Sequence, residues 1–172
     1  MSDKSLYLRC TPDEIAPLVL LTGDPARVDR VAMLLNNGEV ERKNREFNLA
    51  TGMYNGARVT VVSGGIGAPS TAIAVHELVQ LGAQAVVRVG TMMGVVAPLG
   101  SVILSTGSAR FEGTSGRYLL LEFPALPDWT LTHVLAEAGR SAQFPVRLGL
   151  TASYDAFYRD MAPGLVLSLI HI

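Results

Sequence analysis

Three apolar runs of strand length in this chain each end on a glycine-bearing break, and this restricts its fold more than any other feature. Residues 18–22 run into Gly23-Asp24-Pro25. Residues 57–62 run into Ser63-Gly64-Gly65-Ile66-Gly67-Ala68-Pro69, and residues 85–89 run into Gly90. Helical patterns follow the first two breaks. Asp24 is a good N-cap and Pro25 is tolerated at the first helical position, so a helix is predicted from there to about Leu35. Ile73, Ala74, Leu78 and Leu81 recur at helical spacing, and Gly82 ends that helix. Further on, residues 102–105 read as a strand, residues 128 to about 141 as a helix and residues 146–151 as a strand. Strands alternating with helices predict an α/β layer fold with a mixed, largely parallel sheet. The antiparallel element comes from residues 47–53 and 57–62, which flank Tyr54-Asn55-Gly56, a hairpin signal. The mixed charge run at 39–46 reads as a solvated turn. No repeat, low-complexity tract or linker divides the chain, so one domain is expected.

Composition narrows the function. With 14 Lys+Arg against 15 Asp+Glu, the net charge is −1, which argues against a nucleic-acid protein held by bulk charge. Charged residues make up only 17% and apolar ones 49%, against intrinsic disorder. Cys10 is the one cysteine, so neither an internal disulfide framework nor a cysteine-based zinc cluster can form. The first residues lack an apolar stretch of signal-peptide length, and no apolar run reaches the ~18 residues that span a bilayer. A reduced, cytoplasmic globular protein is expected, with no membrane partner. Arginine outnumbers lysine twelve to two, a choice that suits bidentate anion recognition or simply reflects codon bias.

Position singles out some of those arginines. Arg88 sits near the carboxyl end of an apolar strand, where a guanidinium is rarely left unpaired. It forms either an internal ion pair or an anion site, because ligands of open α/β sheets bind beyond the carboxyl ends of strands. Gly90 and Thr91 follow with backbone N–H groups and a hydroxyl. Gly23-Asp24-Pro25-Ala26-Arg27 opens a helix whose free N–H groups and dipole suit a phosphate. Arg27 in the first turn opposes that dipole, a cost that a bound anion would offset. The loop Gly65-Ile66-Gly67-Ala68-Pro69-Ser70 is an imperfect dinucleotide fingerprint and reads better as a tight strand-to-helix turn. His76-Glu77 lacks the second histidine of a zinc-protease motif, Gln80 standing in its place. Nothing near Cys10 suggests an activated thiol. His133, Met33 and Trp129 read as ordinary helix-face residues.

Four motifs together resemble the nucleoside phosphorylase family of the hexameric bacterial type. They are Gly23-Asp24-Pro25-Ala26-Arg27-Val28, Arg45-Glu46-Phe47, Gly65-Ile66-Gly67-Ala68-Pro69-Ser70-Thr71 and Arg88-Val89-Gly90-Thr91, in order across residues 5 to 162. Leu121-Glu122-Phe123-Pro124-Ala125 and Thr151-Ala152-Ser153-Tyr154-Asp155-Ala156-Phe157-Tyr158 look most like the uridine phosphorylase branch. The resemblance implies a three-layer α/β/α fold, incomplete at the carboxyl end. It implies phosphate-dependent cleavage of a pyrimidine nucleoside to base and pentose 1-phosphate, a pentosyltransferase of nucleoside catabolism and salvage. Gly23, Arg27, Arg88 and Thr91 would bind phosphate, Arg88 and Thr91 would approach the ribose, and Arg45 would reach the phosphate of a neighbouring subunit. Met92, Met93 and Phe157 would face the base. Inorganic phosphate is the co-substrate. No cofactor, metal or protein nucleophile is implied, and the assembly would be a dimer-based homohexamer. A purine phosphorylase, a nucleosidase, an inactive phosphate-binding fragment and a Rossmann dehydrogenase are the alternatives.

Two features depart from the family. Met92-Met93-Gly94 stands where relatives carry a small residue and then glycine, and Tyr7 stands where relatives carry a histidine. The family also continues beyond this sequence, with a Gln and an Arg that read the base and a Met-Glu pair that holds the ribose hydroxyls. Residues 1–166 are therefore expected to form a partial phosphorylase domain, inactive and poorly soluble by itself. Residues 167–172 (Leu-Ser-Leu-Ile-His-Ile) resemble a translated adapter sequence, a non-native tail, so His171 is assigned no chemistry.

Overall fold

The computed structural model describes residues 4–94 and 97–160, with backbone alone at 39, 40, 159 and 160. The expected non-native tail lies outside the described residues. Two compact units are present, Met1–Thr91 and Met92–Ile172.

The first unit contains β1 (Leu18–Thr22), α1 (Pro25–Ala32), β2 (Asn36–Asn44), β3 (Phe47–Tyr54), β4 (Ala57–Ser63), α2 (Ala68–Gln80) and β5 (Ala85–Arg88). The strands form a mixed sheet in the order β2-β3-β4-β1-β5. β1 pairs in parallel with β4 and with β5, while β3 is antiparallel to both β2 and β4. Strand alternation sorts side chains onto two faces. Val19, Leu21, Phe47, Leu49 and Val62 pack with Ala74 and Leu78 of α2 and with Leu81, which caps it. Leu20, Ala50 and Val61 pack with Val28, Val31 and Ala32 of α1 on the other face. One helix on each face gives three layers, as the family resemblance implies. The hairpin follows its turn signal, with Tyr54 opposite Ala57 and positive φ at both Asn55 (47°) and Gly56 (81°), the requirement of a type I′ turn.

The charge run at 39–46 is not a turn. Most of it is β2, a strand at one edge of the sheet, and the turn shrinks to Arg45-Glu46 between Asn44 and Phe47. The pattern hid the strand because its inward positions are polar. Arg42 reaches the Glu14 carboxylate, and Asn44 Nδ2 donates to the Tyr7 carbonyl at 2.7 Å. Charges on an edge strand also discourage pairing with another chain. α1 ends three residues sooner than predicted, at Ala32.

The second unit is one βαβ crossover: β6 (Val102–Phe111), α3 (Trp129–Ser141) and β7 (Val146–Tyr154), followed by the short α4 (Phe157–Asp160). β6 and β7 are parallel, with a register shift between Ser105 and Gly107. β6 runs six residues beyond the predicted end because Thr106, Gly107 and Ser108 carry no apolar alternation. The Asp128 carboxylate caps α3, accepting from Leu131 N at 2.7 Å. Burial works to raise the Glu112 carboxyl, but hydrogen bonds from Ser115 and Thr114 outweigh it and hold the group below its ordinary value.

α3 lies so close to β7 that a Cβ at Gly139 would stand 2.3 Å from Val146 Cγ2. Gly139→Ala should therefore destabilise the chain by about 1–3 kcal/mol through overpacking, more than the ~1 kcal/mol it gains in helix propensity. Thermal unfolding of the variant checks this: a lower Tm is expected, and an unchanged one would mean that Val146 turns aside freely.

Candidate functional site

Because β1, β4 and β5 are mutually aligned, their carboxyl ends open onto one edge of the sheet. The three loops that leave this edge contain Gly23, Gly64-Gly65 and Gly90-Thr91. They are tied together by backbone bonds: Gly64 N donates to Thr22 O at 2.8 Å and Val89 N to Leu21 O at 2.8 Å. The start of α1 is fixed locally. Asp24 accepts from Ala26 N at 2.9 Å, Pro25 occupies the first turn, and Thr22 Oγ1 donates to Asp24 O at 2.9 Å.

Two guanidinium groups converge on this edge. Arg27 Nη2 donates to Thr91 Oγ1 at 3.3 Å. Arg88 folds back over its neighbours: its Nη2 is 3.8 Å from the position a Cβ would take on Gly23, and its Nη1 is 3.6 Å from the equivalent position on Gly90. A Cβ at Gly23 would also lie 3.5 Å from the Gly65 carbonyl oxygen, so a larger residue would fill the space between that carbonyl and Arg88. Among the described residues neither Arg27 nor Arg88 has a carboxylate partner within ion-pair distance. The internal ion pair that would have explained Arg88 is thus not formed, and Arg88 is exposed at the strand end. The structure brings together Gly23, Arg27, Arg88 and Thr91.

Arg45 reaches the same edge by another route. It occupies the β2–β3 turn with φ +56°, an unfavourable conformation for a residue with a side chain, costing of order 1–3 kcal/mol. The turn is held against the end of β4: Asn48 N donates to Ser63 Oγ at 2.8 Å, and Ser63 Oγ donates to Glu46 O at 2.5 Å. The Glu46 side chain packs on Gly65, where φ is +69° and a Cβ would come within 2.7 Å of both Glu46 Cγ and Ser70 Oγ. Ser70 Oγ donates to Glu46 Oε1 at 3.2 Å. Arg45 is exposed and belongs to a turn two strand spacings from β1, about 10 Å. Met92, Met93 and Phe157 belong to the second unit, where they are 56%, 50% and 63% exposed, and Phe157 meets Tyr158 edge-on at 5.3 Å.

Sequence reasoning gave Ser63, Glu46, Ser70 and Glu77 no role of their own. Glu77 could have been found. It falls on the same helical stripe as Ala74, Leu78 and Leu81, which puts a carboxylate on the core face of α2, and it is indeed buried. His76 and His133 are exposed. Among the described residues no cluster of three or more His, Cys, Asp or Glu could hold a metal ion, and no helix is long and apolar enough to cross a membrane.

Arg27, partly exposed, and Arg88, exposed, thus stand at the start of a helix with no carboxylate paired to either among the described residues. Guanidinium groups match the oxygens of a phosphate or carboxylate, and the helix N-terminus adds aligned N–H dipoles. Residues 17–163 match the phosphorylase superfamily, and the chain belongs to that family. It is 40% identical over 163 residues to the uridine phosphorylase of Thermococcus kodakarensis, covering 92% of this chain and 58% of that protein. It is 36% identical over 159 residues to the guanosine phosphorylase of Halorubrum lacusprofundi, covering 91% and 66%. The crystal structure of uridine phosphorylase from Vibrio fischeri superposes with a TM-score of 0.91 at 33% identity, covering 96% of this chain and 70% of that one. The chain thus spans less than two thirds of the length of the first two relatives.

Cys10 takes no part in this site. It is fully buried, and burial pushes its thiol up to about 11. The native chain should therefore react with a thiol reagent at pH 8 only on unfolding, a rate at least ~100-fold below that of a free cysteine. Rapid labelling without loss of structure would contradict the burial.

Proposed function

We propose that this chain is the phosphate-binding part of a nucleoside phosphorylase, most like a uridine phosphorylase, and that the full-length parent cleaves a pyrimidine nucleoside with inorganic phosphate. The observation that carries the reading is the pair of guanidiniums, Arg27 and Arg88, converging on Gly23 and Thr91 without a carboxylate between them. Family membership supplies the chemistry: phosphate attacks the anomeric carbon as the glycosidic bond breaks, giving the free base and a pentose 1-phosphate.

Positive charge develops on the pentose in the transition state of such a transfer. A phosphate dianion held by Arg27, Arg88 and Thr91 serves as nucleophile and as the electrostatic partner of that charge. Catalysis then rests on positioning and on preorganised charge, with no covalent intermediate on the protein. Arg88 and Thr91 approach the ribose, and Gly23 leaves room for a phosphate oxygen. Arg45 serves the phosphate of a neighbouring subunit, which makes the working unit a dimer-based homo-oligomer. Met92, Met93 and Phe157 face the base. No cofactor is required, and the enzyme works in the cytoplasm in nucleoside catabolism and salvage.

A purine substrate is the second reading. The guanosine phosphorylase relative motivates it. Base release by the full-length parent from uridine and guanosine, each with and without phosphate, separates the possibilities. The proposal expects phosphate-dependent release of uracil, and about a 100-fold loss of kcat/KM in Arg27→Ala. Release of guanine alone would move the substrate to the purine class. Release without phosphate would make the protein a nucleosidase, and no release from any nucleoside would overturn the proposal.

A further inference from the structure

Glu77 is buried on α2 and has no part in the anion site described above. Its carboxylate is spent entirely on the amino-terminal segment. Oε1 accepts from Tyr7 N at 2.9 Å, and Oε2 accepts from Leu8 N at 2.8 Å and from Tyr7 N at 3.2 Å. These bonds join residues about 70 positions apart in the chain. A buried carboxylate is costly unless its oxygens are satisfied, so the segment and the carboxylate each need the other.

The segment is closed on itself by Ser5 N to Cys10 O at 2.9 Å, and it makes two contacts on its far side. The Tyr7 carbonyl accepts from Asn44 Nδ2 at 2.7 Å. The Tyr7 ring meets the Phe47 ring edge-on at 5.7 Å. Asn44 and Phe47 are the two residues that bracket the Arg45-Glu46 turn. Arg45 has φ +56° there, a conformation that persists only where the surroundings over-determine it.

We infer that Glu77 is a positioning residue for Arg45, acting through the Tyr7 backbone and Asn44. Its carboxylate holds the amino-terminal segment in the one place from which Tyr7 can brace both ends of the Arg45 turn. The inference rests on the reading of Arg45 as a phosphate ligand, and it explains why an arginine that must reach out from an exposed turn is set on a strained backbone position. The segment aims Arg45 without touching phosphate.

The test uses the full-length parent protein, which carries the base-reading segment, and inorganic phosphate as the probe. Glu77→Gln keeps the shape but leaves one of the two N–H groups facing an amide NH2. Asn44→Ala cuts the relay at its other end without disturbing the buried carboxylate. Both variants should raise the KM for phosphate about 3- to 10-fold while kcat at saturating phosphate stays within about 2-fold. Neither should add to the effect of Arg45→Ala when combined with it, and hydrogen exchange at residues 44–47 should quicken in both. A loss confined to Tm, with KM for phosphate and exchange at 44–47 unchanged, would overturn the inference and leave Glu77 a structural clamp. An effect of Glu77→Gln that adds fully to that of Arg45→Ala would overturn it too. If Arg45→Ala itself leaves the KM for phosphate unchanged, it is the reading of Arg45 that fails, and the inference falls with it.

Discussion

β1 pairs in parallel on both of its edges, with β4 on one side and β5 on the other. Everything at the candidate site depends on that geometry. Parallel neighbours point the same way, so three strands deliver their carboxyl ends, and the loops after them, to one edge. An antiparallel partner on either side of β1 would have sent one of those loops to the far end of the sheet. Glycines at the exits then let the loops approach closely. Gly23 lies between the Gly65 carbonyl and the Arg88 guanidinium, and Gly65 fits beneath the Glu46 and Ser70 side chains. Arg27 and Arg88, 61 positions apart in sequence, meet at Gly23 and Thr91 because the ladder brings their loops together.

The electrostatics follow from the same arrangement. Two guanidiniums at one sheet edge repel each other, and Arg27 in the first turn of α1 opposes the helix dipole. A structural role would pair each with a carboxylate. Here the nearby acids are otherwise engaged: Asp24 caps α1 and Glu46 accepts from Ser70. No ion pair joins Arg27 or Arg88 to a carboxylate among the described residues, and the chain belongs to the phosphorylase superfamily.

Much of this was legible in the sequence, for physical reasons that can be named. Asp24-Pro25 marks a helix start because the cap and the fixed φ act locally. Asn55-Gly56 marks a hairpin because both positions need positive φ. Arg88 stood out because its apolar strand offered no reason for a charge. What stayed hidden depends on tertiary contacts. β2 looked like a turn because its inward side chains, Arg42 and Asn44, find polar partners at Glu14 and Tyr7 rather than an apolar core. Glu77 was on the buried stripe of α2 in plain view, but its partners are backbone N–H groups in a distant segment, which no local pattern announces. The division into two compact units at Thr91 and Met92 leaves no linker signature in composition either.

Equilibrium binding of inorganic phosphate tests the central claim most directly, since it asks only whether this edge holds the anion. Titration of the protein with phosphate, followed by calorimetry or phosphorus NMR, should give saturable binding that Arg88→Ala weakens about 10-fold or more. Phosphate binding that is undetectable in the unaltered protein, or that Arg88→Ala leaves unchanged, would contradict the account.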